Sequence, residues 1–502
     1  MSGAGQNDVM PAPTQTTDVV VVGSGPNGLA AAVTMARAGL GVVVLEAEPT
    51  VGGGARTLDL GLGEGLRHDI CSAVHPLATA SPFLAAFDLP ARGVELVVPE
   101  LSYAHPLDGR RAGLAWRDLD ATAEGLGADG PAWRRVFGPL VRDAEAVVAA
   151  TLADMRSLPL QLRSPRGLRG ALAFGLRVLV EGTPLWNLPF RGEVAPAMVT
   201  GVAGHAIAAL PALAPAGVAL MLGTLAHSVG WRIPVGGSQA ITDALVADLR
   251  AHGGEVRTGT RVRSWRELPR ARAYLLDTSP QVAAEIWAGR LPPRMERRLR
   301  RTPAGGGAAK VDFVLSGPVP WAVPEVGQAF TVHVGGTRQE IAAAEKDVAR
   351  GRLPERPSVL LSDPTVADPA RERDGLRPLW TYAHVPLGCD VDMTEAVTRQ
   401  IERFAPGFRD VVVRSAAVPA SRMGEHNPNL AGGDIAGGEV TMRRVLGGPT
   451  GRWDPYALGV PGVYLCSSSA PPAPGVHGMN GWHAARRALR HRFGLPVPSL
   501  AP

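Results

Sequence analysis

The chain has 502 residues, 45% of them hydrophobic, with 61 glycines, 45 prolines and a formal net charge of +5, which suits a compact, loop-rich globular enzyme of two structural domains. Lys310 and Lys346 are the only lysines, and the basic residues are scattered; the densest run, Arg290 to Arg301, reads as a solvated helix face, so no nucleic-acid partner is expected. Cys71, Cys389 and Cys466 are far apart and form no C-x-x-C, which argues against a disulfide framework or a dithiol pair and points to a reducing, cytoplasmic compartment.

Residues 1–17 are small and polar, with neither a basic nor an apolar signal region, and are expected to be a disordered leader. Val19 to Val22 is an unbroken β-branched run, as in a strand buried on both faces of a parallel sheet. Gly23-Ser24-Gly25-Pro26-Asn27-Gly28 follows and fits G-x-G-x-x-G. Pro26 suits the first turn of a helix over Leu29 to Ala38, which Gly39 ends. A second strand, Val42 to Leu45, runs into Glu46. This complete strand–helix–strand unit turns a weak pattern into a dinucleotide fingerprint. Gly23 permits the turn, Gly25 lets the backbone approach a pyrophosphate, and Gly28 lets the helix pack close, its N-terminus toward the phosphates. Glu46 stands where a carboxylate accepts hydrogen bonds from a ribose.

Pro131 to Met155 has helical spacing, with Trp133, Val136, Phe137, Leu140, Val141, Ala144, Val147 and Val148 on one face. Val194 to Trp231 contains no Asp, Glu, Lys or Arg. Its length could span a bilayer, but Pro196, Pro211, Pro215 and five glycines interrupt it. It reads as two or three short buried helices lining a cavity; a surface dipping into a membrane and a true span are the alternatives. Gly236-Gly237 leads into a helix that Gly253-Gly254 ends, and Val256 to Val262 reads as strand. Further strands at Lys310 to Leu315, Phe330 to Val334, Trp380 to Val385 and Val411 to Val418 suggest a second, mainly antiparallel sheet. No second strand–GxGxxG–helix unit is present, so a single dinucleotide is expected.

"VGGGART", Val51 to Thr57, resembles the GG-x-x-R-T element of the phytoene desaturase and amine oxidase flavoprotein superfamily. There, the resemblance implies, Gly52, Gly53, Arg56 and Thr57 cover the FAD pyrophosphate; arginine presents a fixed fork of donors to phosphate oxygens. Gly459 to Leu489 is similar to the last FAD segment of bacterial carotenoid desaturases. It implies that Gly475, Val476, His477, Gly478, Met479 and Asn480 approach the flavin, with a helix N-terminus near N1. Ser467-Ser468-Ser469 stands where relatives often have a glycine and an acid, so any ribityl contact there falls to a hydroxyl such as Ser467. Gly236-Gly237 resembles the family's P-x-GG-x-x-x-L element, and Val262 matches the strand residue whose backbone faces the adenine. His426 to Gly438 also resembles this family, in the phytoene-desaturase-like branch that need not act on carotenoids.

The resemblance implies an α/β protein: a Rossmann-type FAD-binding domain interleaved with an α+β substrate domain. The expected bounds are 18–100, 234–303 and 435–495 for the first, 101–233 and 304–434 for the second. It further implies hydride transfer from a substrate C–H or C–N bond to flavin N5, with oxygen or a quinone as final acceptor and no metal. The charge-free segment favours a desaturase of an apolar, polyene or lipid-like substrate, with a peripheral membrane contact as an option. An oxidase of a smaller amine or alcohol ranks second, because 5% aromatic residues and five tyrosines leave little for an aromatic cage at the flavin. A flavin-bound interaction protein without turnover is the third reading. His205, His227, His384 and His477 are the candidates for a base, and His477, in the flavin loop, is the expected catalytic residue.

Overall fold

The structure, a computed structural model, describes residues 16–154, 156, 159–472 and 474–502. Four-residue valine and leucine runs, buried on both faces, form the centre of a five-stranded parallel sheet. Its order is Val463–Leu465, Ala273–Leu276, Val19–Val22, Val42–Leu45 and Glu255–Arg257. Helix Pro26–Arg37 covers one face, packed between Gln239–Ala251 and Met479–Ala488. Gly28 makes this approach possible: a Cβ there would lie 2.2 Å from the Gly23 carbonyl oxygen.

A second sheet has seven strands, in the order Val412–Val418, Gly307–Leu315, Arg377–Val385, Val359–Ser362, Thr331–Val334, Leu101–Leu107 and Arg111–Trp116. Every pairing is antiparallel except Thr331–Val334 with Leu101–Leu107. Its apolar core is separate from the two clusters that sandwich the parallel sheet. The expected fold class is met: a Rossmann-type parallel sheet interleaved along the chain with a mainly antiparallel one.

A helical layer from Leu119 to Ser228 sits beside the second sheet. Val194 to Trp231 forms two buried helices there, Val194–Ala203 and Leu213–Ser228. Among the described residues, no helix is long and apolar enough to cross a membrane. The arginines of Arg290 to Arg301 stand outward on helix Pro293–Arg300, whose Met295 and Leu299 are buried.

Three boundaries differ from expectation. The single helix over Pro131 to Met155 is two, Gly130–Arg142 and Ala144–Leu152, because Asp143 leaves helical geometry (φ −116°, ψ 34°); Met155 lies outside the described residues. The strand expected to reach Val262 stops at Arg257, where Gly259 and Thr260 turn back to bond the carbonyls of Glu48 and Glu46. Of the expected leader, residues 1–15 lie outside the described residues, whereas Thr16 and Thr17 lead into the central strand of the parallel sheet and are tied to the segments on either side of it. The Thr17 N–H donates to Arg270 at 3.1 Å and its hydroxyl to Gly41 at 2.8 Å.

Candidate functional site

The C-terminal ends of the parallel strands meet one continuous cavity of about 800 Å³. Val22–Asn27, Leu45–Glu48, Asp277–Ser279 and Ser467–Ser469, each at or just beyond a strand end, line it. That edge is where open parallel sheets bind ligands, since loops there can vary without disturbing the sheet.

Gly23 turns with φ 98°, and helix Pro26–Arg37 starts at the cavity wall with its N-terminal end toward the cavity. Glu46 is buried, and both carboxylate oxygens are held. Oε2 accepts the Ser24 N–H at 2.7 Å and its hydroxyl at 2.5 Å, and Oε1 accepts the Glu48 N–H at 2.9 Å. Two carboxylate oxygens offer about four acceptor sites, so capacity for a ribose remains. Arg56 lines the cavity while donating to the Gly53 carbonyl, the Thr50 hydroxyl and the His426 carbonyl. Its Nη1 also lies 3.5 Å from the Glu48 carboxylate. Gly25, Pro26, Asn27, Gly53, Val262, Ser467, Gly475 and Val476 also line the cavity.

Other expected contacts stand behind this wall. The Gly28 N–H is spent on Asp277, and Gly52 donates to the Ser24 carbonyl at 3.1 Å. The Thr57 hydroxyl donates to Asp69 at 2.6 Å and accepts the Gln239 N–H, tying the loop to helix Gln239–Ala251. Gly478, Met479 and Asn480 are turned inward, and Asn480 donates to the Ala470 carbonyl at 2.5 Å.

His477 does not take the expected catalytic position. Its ring is fully buried and does not line the cavity. Nδ1 accepts the Met479 N–H at 3.1 Å, at the start of helix Met479–Ala488, and the carbonyl accepts the Ser81 hydroxyl at 2.5 Å. Gly478, with φ 70°, lets the loop carry the ring inward, where it accepts the Met479 N–H at the helix start. His227 and His384 are committed elsewhere as well. His227 takes the Trp133 indole N–H at 3.1 Å and bonds the Trp116 carbonyl at 2.8 Å, and His384 Nδ1 lies 2.5 Å from Glu345. Of the four candidates only His205 lines the cavity. Its Nε2 is 2.9 Å from that of His333, and burial pushes its pKa down to about 4.

The sequence reading missed Asp277. Its buried carboxylate bonds the glycine loop, and its only sequence signal is a place at a strand end, in "LLDTSP". Burial is the main cause that pushes Asp277 up to about 7, against the Gly28 N–H, which holds it down. Asn429 was not singled out either; it accepts the Ser279 N–H at 2.7 Å and donates to the Asp277 carbonyl at 3.1 Å.

Away from the strand ends the wall changes character. Phe174, Val178, Met221, Leu222, Leu360 and Val440 line it, and helix Leu213–Ser228 contributes its apolar residues. Trp380 and Tyr382 stand there with ring centroids 5.2 Å apart and planes at 90°. The buried Lys310 ammonium, 2.5 Å from Asp312, lies 5.3 Å from the Trp380 ring and helps hold it. A low aromatic content therefore does not deprive the cavity of an aromatic pair.

Residues 21–88 match the NAD(P)-binding Rossmann-like domain. Nearly the whole chain is similar to pyridine nucleotide-disulfide oxidoreductase domain-containing protein 2 of Rattus norvegicus, 23% identical over 94% of this chain and 93% of that one. An uncharacterized protein of Mycobacterium tuberculosis is 27% identical over 94% and 97% of the two chains. Among solved structures, wild-type putrescine oxidase bound to putrescine superposes with a TM-score of 0.59 at 18% identity, over 95% of this chain and 100% of that one. Cyclohexylamine oxidase from Brevibacterium oxydans gives 0.52 at 15%, over 94% and 98%. The fold is that of the flavin amine oxidases. On it the chain carries a Rossmann-type dinucleotide-binding unit, as the motifs led us to expect.

Proposed function

We propose that the protein is an FAD-dependent oxidoreductase that withdraws hydride from a neutral, apolar substrate, in the manner of a desaturase. One observation carries the substrate class. The acids lining the cavity, Glu46, Glu48, Asp277 and Glu285, all belong to the elements of the dinucleotide end. The half built from helices Pro165–Glu181 and Leu213–Ser228 and strand Arg377–Val385 offers no carboxylate to an ammonium group. Burying an unpaired cation there would cost several kcal/mol, on the order of an uncompensated buried charge.

The dinucleotide end fits FAD. Asn27 Oδ1, Ser467 Oγ and Ser469 Oγ are buried side-chain oxygens without a hydrogen-bond partner, on residues that line the cavity. Such atoms call for a polar ligand. When bound, FAD supplies a two-electron hydride acceptor. The chain would hold it with the N-terminus of helix Pro26–Arg37 and Arg56 at the pyrophosphate, Glu46 at the ribose, and Val262 beside the adenine. Gly475, Val476 and Ser467 then face the ribityl and ring end. The apolar half positions the substrate and excludes water. Oxygen or a quinone is the proposed final electron acceptor.

The Trp380–Tyr382 pair favours a second reading, an oxidase of a smaller amine or alcohol. The likeness to putrescine and cyclohexylamine oxidases supports it.

Mass analysis of the ligand released by heating the purified protein tests the cofactor; FAD is expected, and NAD as the sole nucleotide would sink the proposal. Anaerobic bleaching of the flavin absorbance separates the substrates. Reduction by a lipophilic polyene or other apolar C–H donor is expected; reduction by cyclohexyl-type amines alone would establish the second reading.

A further inference from the structure

The segment Leu160 to Leu188 presents apolar side chains to solvent in a concentration found nowhere else among the described residues. Leu168, Leu172, Leu176 and Leu179 form a stripe at helical spacing on the outer face of helix Pro165–Glu181. Leu160 and Leu188 flank it, and all six are more than half exposed. Leucines in so tight a group mark an interaction site, whereas leucines scattered singly do not.

Arginine dominates the charges around the stripe, although Arg166 is paired with Asp143 at 2.7 Å and Arg177 donates to the Arg135, Val136 and Ala173 carbonyls. Arg163, Arg166, Arg169, Arg177 and Arg191 lie in residues 159–192, and Glu181 is the only acid. Glu181 is buried against Arg338 at 3.3 Å, so it does not offset the outer charge. The inner side of the same helix supplies Phe174 and Val178 to the cavity wall. Helix Leu213–Ser228 packs on it and carries on its other flank the short helix Met442–Gly447. Met442 and Leu446 there both line the cavity and are exposed, so the cavity reaches the surface beside this layer.

We infer that the leucine face of residues 160–188 is a docking surface for an anionic lipid bilayer, held in the headgroup region with the exposed Arg169 and Arg191 on lipid phosphates. An apolar stripe bordered by arginine is the composition of a helix that lies in a membrane interface. Charge decides against a second copy of this chain as occupant. Two such faces brought together would oppose arginine to arginine, whereas a bilayer of anionic lipids supplies the missing negative charge. The site is not the one the charge-free stretch Val194 to Trp231 suggested; that stretch is buried beneath it. The reason to dock rests on the proposed apolar substrate, which would pass from lipid to cavity without crossing water.

Sedimentation of the full-length flavoprotein with phosphatidylglycerol/phosphatidylcholine vesicles, and with phosphatidylcholine alone, tests the inference. Binding to the anionic vesicles that weakens in high salt is expected. The triple variant Leu168→Glu, Leu172→Glu, Leu176→Glu should lose at least about tenfold in vesicle partitioning. All three positions are exposed, and flavin absorbance and melting temperature verify that the variant is folded. No binding by the wild type, or equal binding by the triple variant, overturns the docking surface. So does a wild-type dimer, free of vesicles, that the triple variant converts to monomer, because a second copy would then cover the face. A protein found without FAD would defeat the functional reading and leave the vesicle result standing.

Discussion

Asp277 Oδ2 accepts the Gly28 N–H at 2.9 Å, joining residues 249 positions apart in the chain. This bond locks the end of strand Ala273–Leu276 to the glycine turn that follows strand Val19–Val22. It leaves a buried carboxyl group beside the proposed pyrophosphate site.

That burial makes Asp277 a source of pH dependence. Its folded value, pushed up to about 7, lies above the roughly 3.9 of an unfolded aspartate. Between those values the folded chain holds a proton that the unfolded chain releases. The group's contribution to stability is thus intact below about pH 4 and declines as pH rises toward 7. Asp277→Asn keeps an acceptor for Gly28 and removes the titration. It should flatten the fall in melting temperature from pH 4.5 to 8 and be the more stable protein at pH 8, by about 1–3 kcal/mol. Parallel pH profiles for the two proteins would contradict this account.

Glu46→Ala should weaken FAD binding by about 1.5–3 kcal/mol, the worth of hydrogen bonds to a charged group. Part of that loss would come through Ser24, whose N–H and hydroxyl both donate to this carboxylate. Flavin fluorescence on dilution gives the dissociation constant. An unchanged constant would remove Glu46 from the site.

Gly217 lines the cavity on helix Leu213–Ser228, and a Cβ built there meets no atom within 4 Å. Gly217→Phe should therefore fill cavity space without straining the helix. Flavin content should be unchanged, while uptake of an apolar fluorescent probe drops severalfold. Loss of flavin instead would place Gly217 at the cofactor.

His477→Ala should cost about 1 kcal/mol of stability, through the lost bond to the Met479 N–H. The pH profile of kcat/KM should keep its shape, since the ring does not face the cavity. His477→Asn, which retains an acceptor, should recover most of the stability. A lost limb in the profile of a folded variant would restore His477 as a base.

The sequence by itself determined the Rossmann unit. Strand, glycine turn, helix and terminal acid lie within about 30 consecutive residues, and each reports its own backbone requirement. The absence of charge from Val194 to Trp231 likewise declared burial, and its prolines and glycines declared short helices. Tertiary structure decided what lies between distant segments. No local pattern brings Asp277 to Gly28, sets Trp380 at a right angle to Tyr382 on the cavity wall, or turns the His477 ring toward a helix end. Nor does periodicity say which apolar stripe is covered. The leucines of helix Pro165–Glu181 repeat at the spacing of a core-facing stripe, yet they stand in solvent. Hydrophobic spacing records that a face is apolar; only packing against the rest of the chain removes it from water.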